Sequence, residues 1–486
     1  MSLTTASSRQ ESGKSRFGAR YALILVALLW AVQLSPIVGL LVGNSQSEIA
    51  IHFHTTRIAW FSQTSSLVGI FLLPFVVKAA GIYGKKRVML VSIALGLVGD
   101  LIAATATSYS TLLVGRGLAG IYGPIAALGY AMARDVFPRR MVGQASGFLG
   151  GGIGLVALGG PFLSGWVIDS WGFRGALWFM AIATALSLLL VLFFVPESPV
   201  REEHARMDWI GGLLLGGGLA TAIYGIGEGS HWGWTSGKTF GFIGGGLIAV
   251  IAFAFVERRV ANPLFPLALL KRRQVWTVLL ATSVIAGAIF SVGTVAQLLA
   301  LMPKIPNVSD GLGWSVTHNA LINAPASVLI VVMAVVTGAL ARRIDARILL
   351  GIGAVLTTTG YGFASHFHHT APQLMITGIV AAIGMGMIVS ATPIMIIEAV
   401  APAEQALANG AQNLTAGVAQ VVFTQLAFTV LARGGTVMKG TQFYRDSGFT
   451  HGYWLICGVC LVGAALALLV PRAKRIDEVD AGQAVA

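Results

Sequence analysis

The sequence predicts an all-α membrane protein with fourteen transmembrane helices: two pseudo-symmetric six-helix bundles, two inserted helices, and both termini in the cytoplasm. Three observations predict this fold, namely the scarcity of charge, fourteen long apolar stretches and a one-sided distribution of basic residues. Only 10% of the 486 residues are charged, against about 25% in a soluble domain, and the mean hydropathy is +0.80. These values exclude a soluble enzyme, a nucleic-acid-binding domain and a disordered chain.

The apolar stretches give the helices in order. About 20 residues cross a hydrocarbon core of about 30 Å, because a helix rises about 1.5 Å per residue. Six stretches come first, at 21–43, 58–77, 87–107, 110–133, 142–168 and 174–195. Two follow at 209–227 and 239–256, and the last six are at 275–302, 319–341, 347–365, 373–399, 408–432 and 452–471. The first stretch is longer than a signal-peptide core, so we expect a retained helix.

These stretches divide the chain into six segments. We expect a cytoplasmic tail at 1–20, an N-terminal bundle at 21–195, a linker with the two inserted helices at 196–258, a cytoplasmic linker at 259–274, a C-terminal bundle at 275–471 and a second tail at 472–486. With the N-terminus inside, 24 of the 32 Lys and Arg residues fall on the cytoplasmic side and seven on the other. This bias predicts the orientation by the positive-inside rule.

Two turns on the cytoplasmic side are similar in sequence. Val-Phe-Pro at 136–138 leads to Ala-Ser-Gly at 145–147, and Val-Ala-Pro at 400–402 leads to Ala-Asn-Gly at 408–410. Repeats of the same orientation are typical of transporters that bind a substrate near the membrane midplane between two halves. Chance similarity of short turns is the alternative.

Three short segments resemble motifs of one protein family. They are Gly84-Lys85-Lys86-Arg87 after the second span, Arg116-Gly117-Leu118-Ala119-Gly120 in the fourth, and Gly160-Pro161-Phe162-Leu163-Ser164-Gly165 in the fifth. With them the chain resembles, over nearly its whole length, the major facilitator superfamily and, within it, the 14-span drug:proton antiporters. The resemblance implies a secondary transporter that exports small molecules by alternating access.

The resemblance also implies roles for these residues. The basic turn would gate the cytoplasmic side through Gly84, Lys85, Lys86 and Arg87, although plain topology signalling explains its charges equally well. The small residues of span five would let two moving bundles pack closely and let the helix bend; they are Gly160, Pro161 and Gly165. Generic close packing is the alternative for this motif.

Arg116 is the only basic residue clearly inside a span, and the resemblance links it to proton coupling. A buried arginine costs from about 2.5 kcal/mol upward, so it needs a partner. Asp100 lies ~20 Å outward from Arg87 along span three, and Arg116 lies ~8 Å inward from the outer start of span four. Both therefore lie in the outer half, and we expect them to pair. The pair is either a structural salt bridge or a titrating coupling site.

The first span lacks the acid that the family usually has there, since residues 33–39 read Gln-Leu-Ser-Pro-Ile-Val-Gly. This departure leaves proton coupling open and weakens the case for cationic drugs. The candidate substrate-cavity residues are then neutral: Gln33, Ser35, Gln63, Asn323, Gln412, Asn413, Gln420 and Gln425. Amides in membrane helices also bond neighbouring helices, which is the alternative role for each.

Other chemistry has little support in the sequence. Cys457 and Cys460 have metal-site spacing but lie in the apolar last span without a second pair. The histidines at 366, 368 and 369 could sense pH or bind a metal, but solvation in a loop is the simpler reading. We expect no catalytic residue, metal or cofactor, and glutamates 228 and 398 are read as interfacial.

The sequence therefore predicts a cell-membrane exporter of hydrophobic small molecules, coupled to protons, with lipid as its surroundings and no nucleic-acid partner. The alternatives are a facilitator or importer of a neutral metabolite without proton coupling, and a non-transporting membrane receptor. Substrate identity, stoichiometry and oligomeric state are not predicted.

Overall fold

The computed structural model describes residues 18–200, 207–260, 267–400 and 404–471. The expected tail at 472–486, most of the tail at 1–20, parts of both linkers and Pro402 of the similar turns lie outside these ranges. The described chain is helical apart from its connections and two short β-hairpins.

The first helix group comprises α1 to α6. Its members are α1 (Ala19–His52), α2 (Ala59–Tyr83), α3 (Lys85–Thr105), α4 (Tyr109–Ala119), α5 (Ile125–Val136) and α6 (Arg139–Phe194). A 3₁₀ turn, Gly120–Tyr122, joins α4 to α5. Within α6, Gly172 adopts φ 63° and ψ −171°, so two helices meet at a kink there. Glycine accepts this positive φ without strain, which allows the chain to kink here. The kink falls between the expected stretches 142–168 and 174–195.

The second helix group comprises α11 to α16, and the inserted helices precede it. The inserted segments are α7 (Trp209–Gly212), a π-helical turn (Leu213–Gly217), α8 (Gly218–Trp232) and α9 (Gly237–Glu257), followed by the short α10 (Leu267–Leu270). The second group contains α11 (Arg273–Leu301), α12 (Val316–Leu340), α13 (Ala346–Ala364), α14 (Ala371–Ala399), α15 (Gln405–Arg433) and α16 (Asp446–Ala467).

Within the described ranges, twelve helical segments are long and apolar enough to cross a membrane. One of them, Met141–Phe194, contains the Gly172 kink, and the 19-residue α13 is not among the twelve. Large apolar side chains are exposed along many of these helices, for example Phe193 and Val335, as lipid contact requires.

The helix α1 continues well past the apolar stretch that predicted it. The expectation ended at residue 43, because polar residues follow, yet the helix reaches His52. These polar side chains are buried against neighbours: Asn44 Nδ2 donates to Ser164 Oγ at 2.9 Å, and Ser45 Oγ donates to the Leu41 carbonyl. A polar run can therefore remain helical when protein supplies its hydrogen bonds.

The two groups have matching contact patterns. In the first group α1 packs on α6, and α4 packs on α2 and α3; in the second group α11 packs on α15, and α14 packs on α12 and α13. Across the groups, α6 contacts α12, and α2 contacts α15. The inserted helix α8 packs on α9 and also touches α2 and α15.

The bundle has two distinct ends. We call the end with Lys85, Arg273 and Arg347 the basic face. The opposite end, the hairpin face, carries the strand pairs β1 (Lys304–Ile305) with β2 (Ser309–Asp310) and β3 (Thr436–Met438) with β4 (Thr441–Phe443), both antiparallel.

Candidate functional site

Asp100 and Arg116 form a buried ion pair between α3 and α4. Glycines bring these helices together: a Cβ on Gly115 would lie 2.5 Å from the Ala103 nitrogen and 2.7 Å from the Gly99 carbonyl oxygen. In this close packing Arg116 Nη1 lies 3.5 Å from Asp100 Oδ1. Arg116 is 3% exposed and Asp100 is 1% exposed. The expected pairing is confirmed, whereas its role in coupling stays a prediction.

Side chains from two further helices complete the surroundings of this pair. Thr184 Oγ1, in the second part of α6, donates to Asp100 Oδ2 at 2.7 Å. Arg116 Nη2 donates to Ser65 Oγ of α2 at 3.0 Å, and its guanidinium lies 5.7 Å from the centre of the Phe61 ring. Because both charges are withdrawn from water, their attraction is stronger than at a surface, and losing either one would leave the other uncompensated.

The basic turn between α2 and α3 is tied to its own helix group. Gly84 has φ 103°, which a side chain would strain. Lys85 Nζ forms an ion pair with Asp135 of α5, and Glu197 accepts from the Lys86 backbone N–H at 3.0 Å. Glu197 therefore places an acid at the start of α3. This residue follows α6 and lies outside the Gly84–Arg87 motif. Arg87, by contrast, is exposed.

The small residues of the first part of α6 lie against both groups. A Cβ on Gly160 would lie 2.5 Å from Leu40 Cδ1 of α1, within the same group. A Cβ on Gly165 would lie 2.8 Å from Thr317 Oγ1 and 2.9 Å from Thr317 Cα, in α12 of the second group. Pro161 lies between them in the helix. The motif therefore contains the crossing point of the two groups.

Asp169 joins the two groups one turn beyond Gly165. Its carboxylate accepts from the backbone N–H groups of Val316 at 2.9 Å and Thr317 at 2.8 Å. Both are at the N-terminus of α12, where unpaired N–H groups and the helix dipole favour an anion. Sequence analysis did not single out Asp169, although an acid near the end of an apolar span was a usable signal.

The neutral candidates divide into two sets by exposure. Buried side chains include Gln33, Gln63 and Gln412; Gln33 Nε2 donates to the Leu149 carbonyl at 2.9 Å, and Gln412 Oε1 accepts from Thr282 Oγ1 at 2.8 Å. Ser35, Asn323 and Asn413 are exposed, and Gln420 is half-buried. A polar side chain is costly against lipid, so an exposed one inside a spanning helix is more stable facing a cavity or water. The exposed set therefore fits a substrate cavity better than the buried set.

Glu228, expected near the outer end of its span, is buried within the protein. The residue is 2% exposed, and its Oε1 accepts from Trp60 Nε1 at 2.9 Å. Trp60 lies at the start of α2, so this hydrogen bond fastens the inserted helix α8 to the first group. The indole N–H and partial pairing with Arg57, whose Nη2 is 3.8 Å away, compensate the buried carboxylate.

Comparison with known sequences gives one family and several curated relatives. A family model described as Major Facilitator Superfamily matches residues 22–348 and again 285–484. The multidrug resistance protein Stp of Mycobacterium tuberculosis is 26% identical over 73% of this chain, and the match spans 65% of that relative's length. A uridine/deoxyuridine transporter of Lactococcus lactis is 28% identical over 69% of this chain, and the match spans 71% of that relative's length.

Solved structures share the fold at low sequence identity. The nucleoside transporter NupG has a TM-score of 0.61 at 15% identity, covering 93% of this chain and all of that one (100%). A POT family transporter in complex with 5-aminolevulinic acid has a TM-score of 0.64 at 14% identity, covering 92% of this chain and 95% of that one.

Proposed function

The chain belongs to the major facilitator superfamily, and on that basis we propose that it exports hydrophobic small molecules in exchange for protons. Its relatives are transporters, and it is a multi-pass protein of the cell membrane. The observation that carries the proposal is the sealed Asp100–Arg116 pair, since a carboxylate inside a spanning helix is costly and marks a proton or ion pathway. The name of the Mycobacterium relative supports efflux.

The protein crosses the membrane fourteen times in this proposal. Met141–Phe194 would measure ~80 Å as one straight helix, far more than a bilayer core of about 30 Å, so the Gly172 kink separates two crossings. The 19-residue α13 adds another crossing, since it packs between α14 and α16. In this proposal the basic face is cytoplasmic, because most of the Lys and Arg residues that the structure describes lie there.

The contacts between the two helix groups support transport by alternating access. At the hairpin face they are joined by Asp169 with α12, and by Thr441 Oγ1 with the Ala50 carbonyl at 3.3 Å. At the basic face, the ion pairs Lys85–Asp135 and Arg272–Glu404 each lie within one group. These contacts support a state closed at the hairpin face, which rocking of the two six-helix bundles would open.

A second candidate is a facilitator or importer of a neutral metabolite. It is favoured by the uridine/deoxyuridine relative and by the absence of an acid at residues 33–39 of the first span. The exposed Ser35, Asn323 and Asn413 offer hydrogen bonds but no charge to a substrate. This reading needs no proton movement through Asp100.

Accumulation assays in cells separate the two candidates. We expect cells that express the protein to retain less hydrophobic dye than control cells, and to lose this difference when a protonophore collapses the proton gradient. The Asp100→Asn variant should behave like cells without the protein. Asp208→Asn, at an N-cap outside the pair where asparagine serves as well as aspartate, should behave like wild type. Uridine uptake that ignores the protonophore, with no effect on dye retention, would establish the second candidate instead.

A further inference from the structure

Three side chains converge at the hairpin face of the second group, far from the Asp100–Arg116 pair. His368 and His369 lie in the turn between α13 and α14, and Asp446 is the first residue of α16. Their ligand atoms all lie within 4.8 Å of one another. The Nε2 atoms of both histidines are 2.8 Å from the same oxygen, Asp446 Oδ1. His368 is buried, whereas His369 and Asp446 are open to solvent on one side.

The hydrogen bond on the other side of the His368 ring defines what its Nε2 presents. Nδ1 lies 2.7 Å from the Ala364 carbonyl oxygen. Because a carbonyl oxygen only accepts, Nδ1 donates its hydrogen to the Ala364 carbonyl, and Nε2 is the ring atom that faces Asp446 Oδ1. The 2.8 Å between Nε2 and Oδ1 is bridged either by a proton or by a bound metal ion.

We propose that His368, His369 and Asp446 bind a divalent transition-metal ion of the zinc class. Zinc takes imidazole nitrogen at about 2.0–2.1 Å and carboxylate oxygen at about 2.0–2.2 Å, and three protein ligands leave a fourth position for water. Tetrahedral geometry at these lengths separates ligand atoms by roughly 3.3 Å, so the three side chains, whose ligand atoms lie within 4.8 Å of one another, would adjust slightly on binding. A carbonyl on the far ring nitrogen, as Ala364 provides, is the usual partner of a metal-binding histidine.

The backbone around the three ligands is held independently of any metal. Gln373 Oε1 accepts from the backbone N–H groups of His369 at 3.0 Å and Thr370 at 3.2 Å, which fixes the turn before α14. Asp310 Oδ2 accepts from the Asp446 N–H at 2.9 Å, which fixes the start of α16. A bound ion would tie this turn to α16. The site does not depend on the proposed transport function, and it replaces the expectation that these histidines are merely solvated.

Zinc titration of the purified, tag-free, full-length protein tests the site. We expect calorimetry to give about one saturable Zn²⁺ site per chain in the wild type, and thermal unfolding to shift upward with Zn²⁺ but not with Mg²⁺. His369→Ala and Asp446→Asn should each weaken binding at least ~10-fold and abolish the thermal shift. His366→Ala is the matched control, because His366 is an exposed histidine of the same turn outside the cluster, and it should bind as the wild type does.

Two results would overturn the proposal. One is an absence of saturable zinc binding to wild-type protein at millimolar concentration, which would leave a proton as the cation between His368 and Asp446. The other is equal zinc affinity in wild type and in the His369→Ala, Asp446→Asn double variant, which would assign binding to other groups. Gel-filtration profiles matching wild type would establish that the variants are folded.

Discussion

Asp100 and Arg116 are held where water does not reach them, and each charge depends on the other. Thr184 and Ser65 each satisfy one polar atom of the pair. A buried pair of this kind contributes little net stability, yet removing one partner is strongly destabilising. Neutralising one member should therefore lower stability, whereas neutralising both should not. Comparing the two variants separates the effect of the pair on stability from its effect on transport.

Asp100→Asn should lower stability and abolish proton-driven export. The single change leaves Arg116 uncompensated, at a cost of about 3–5 kcal/mol. The Asp100→Asn, Arg116→Gln double variant removes both charges, so we expect thermal unfolding to return close to the wild-type temperature while coupled export stays absent. Tryptophan-fluorescence melting and dye efflux in proteoliposomes measure the two effects. Wild-type export by the double variant would make the pair a structural salt bridge and nothing more.

Depth along the helices was sufficient to predict this pair, but not its surroundings. Counting residues from the ends of two consecutive spans places Asp100 and Arg116 at similar depths. Ser65 and Thr184 come from other helices, and their approach depends on how those helices rotate and pack. For the same reason sequence could not tell Gln33, which is bonded to Leu149, from the exposed Ser35 two residues later.

The first part of α6 packs tightly at some of its glycines and is open at others. Its glycines differ in what they touch: Gly165 lies against the Thr317 backbone, while the space around Gly159 is open within 4 Å. The sequence showed a run of small residues and a proline, which predicts close packing but does not say at which glycine. The structure therefore distinguishes glycines that look equivalent in the sequence.

Gly165→Ala should impair transport, and Gly159→Ala should not. The Cβ of the first variant would overlap the Thr317 backbone, which no side-chain rotation relieves, so the closed hairpin face is destabilised by about 1–3 kcal/mol. The matched change at Gly159 adds the same atom to the same helix without a contact. Initial rates of dye efflux in proteoliposomes compare the two. Equal rates for both variants would contradict the assignment of Gly165 to the crossing point.

At the scale of the whole molecule, the two helix groups repeat one packing scheme. The contact of α6 with α12 has its counterpart in the contact of α2 with α15. Similar turns and equal numbers of spans predicted this duplication from the sequence. The end at which the groups meet could not be predicted, because apolar stretches and charge bias are the same in every state of a rocking transporter.

Asp169→Ala should shift the molecule toward a state open at the hairpin face. The change removes two hydrogen bonds to the N-terminus of α12 that exist only when the groups touch there. Each net hydrogen bond contributes about 0.5–1.5 kcal/mol, so losing two should lower the relative population of the closed state roughly 5- to 150-fold, while Ser315 still caps α12. Spin labels at Thr56→Cys and Lys304→Cys, in a background where Cys457 and Cys460 are replaced by serine, would report longer distances.

The control is Ser108→Ala, which removes an N-cap inside the first group, since Ser108 Oγ accepts from the Thr111 N–H at 3.2 Å. Its cost in stability is of the same kind, but it falls equally on the closed and open states, so the distance distribution should match that of the wild type. The comparison isolates the one property that Asp169 has and Ser108 lacks, a bond from one helix group to the other. Identical distributions for all three proteins would mean that contacts other than Asp169 hold the hairpin face closed.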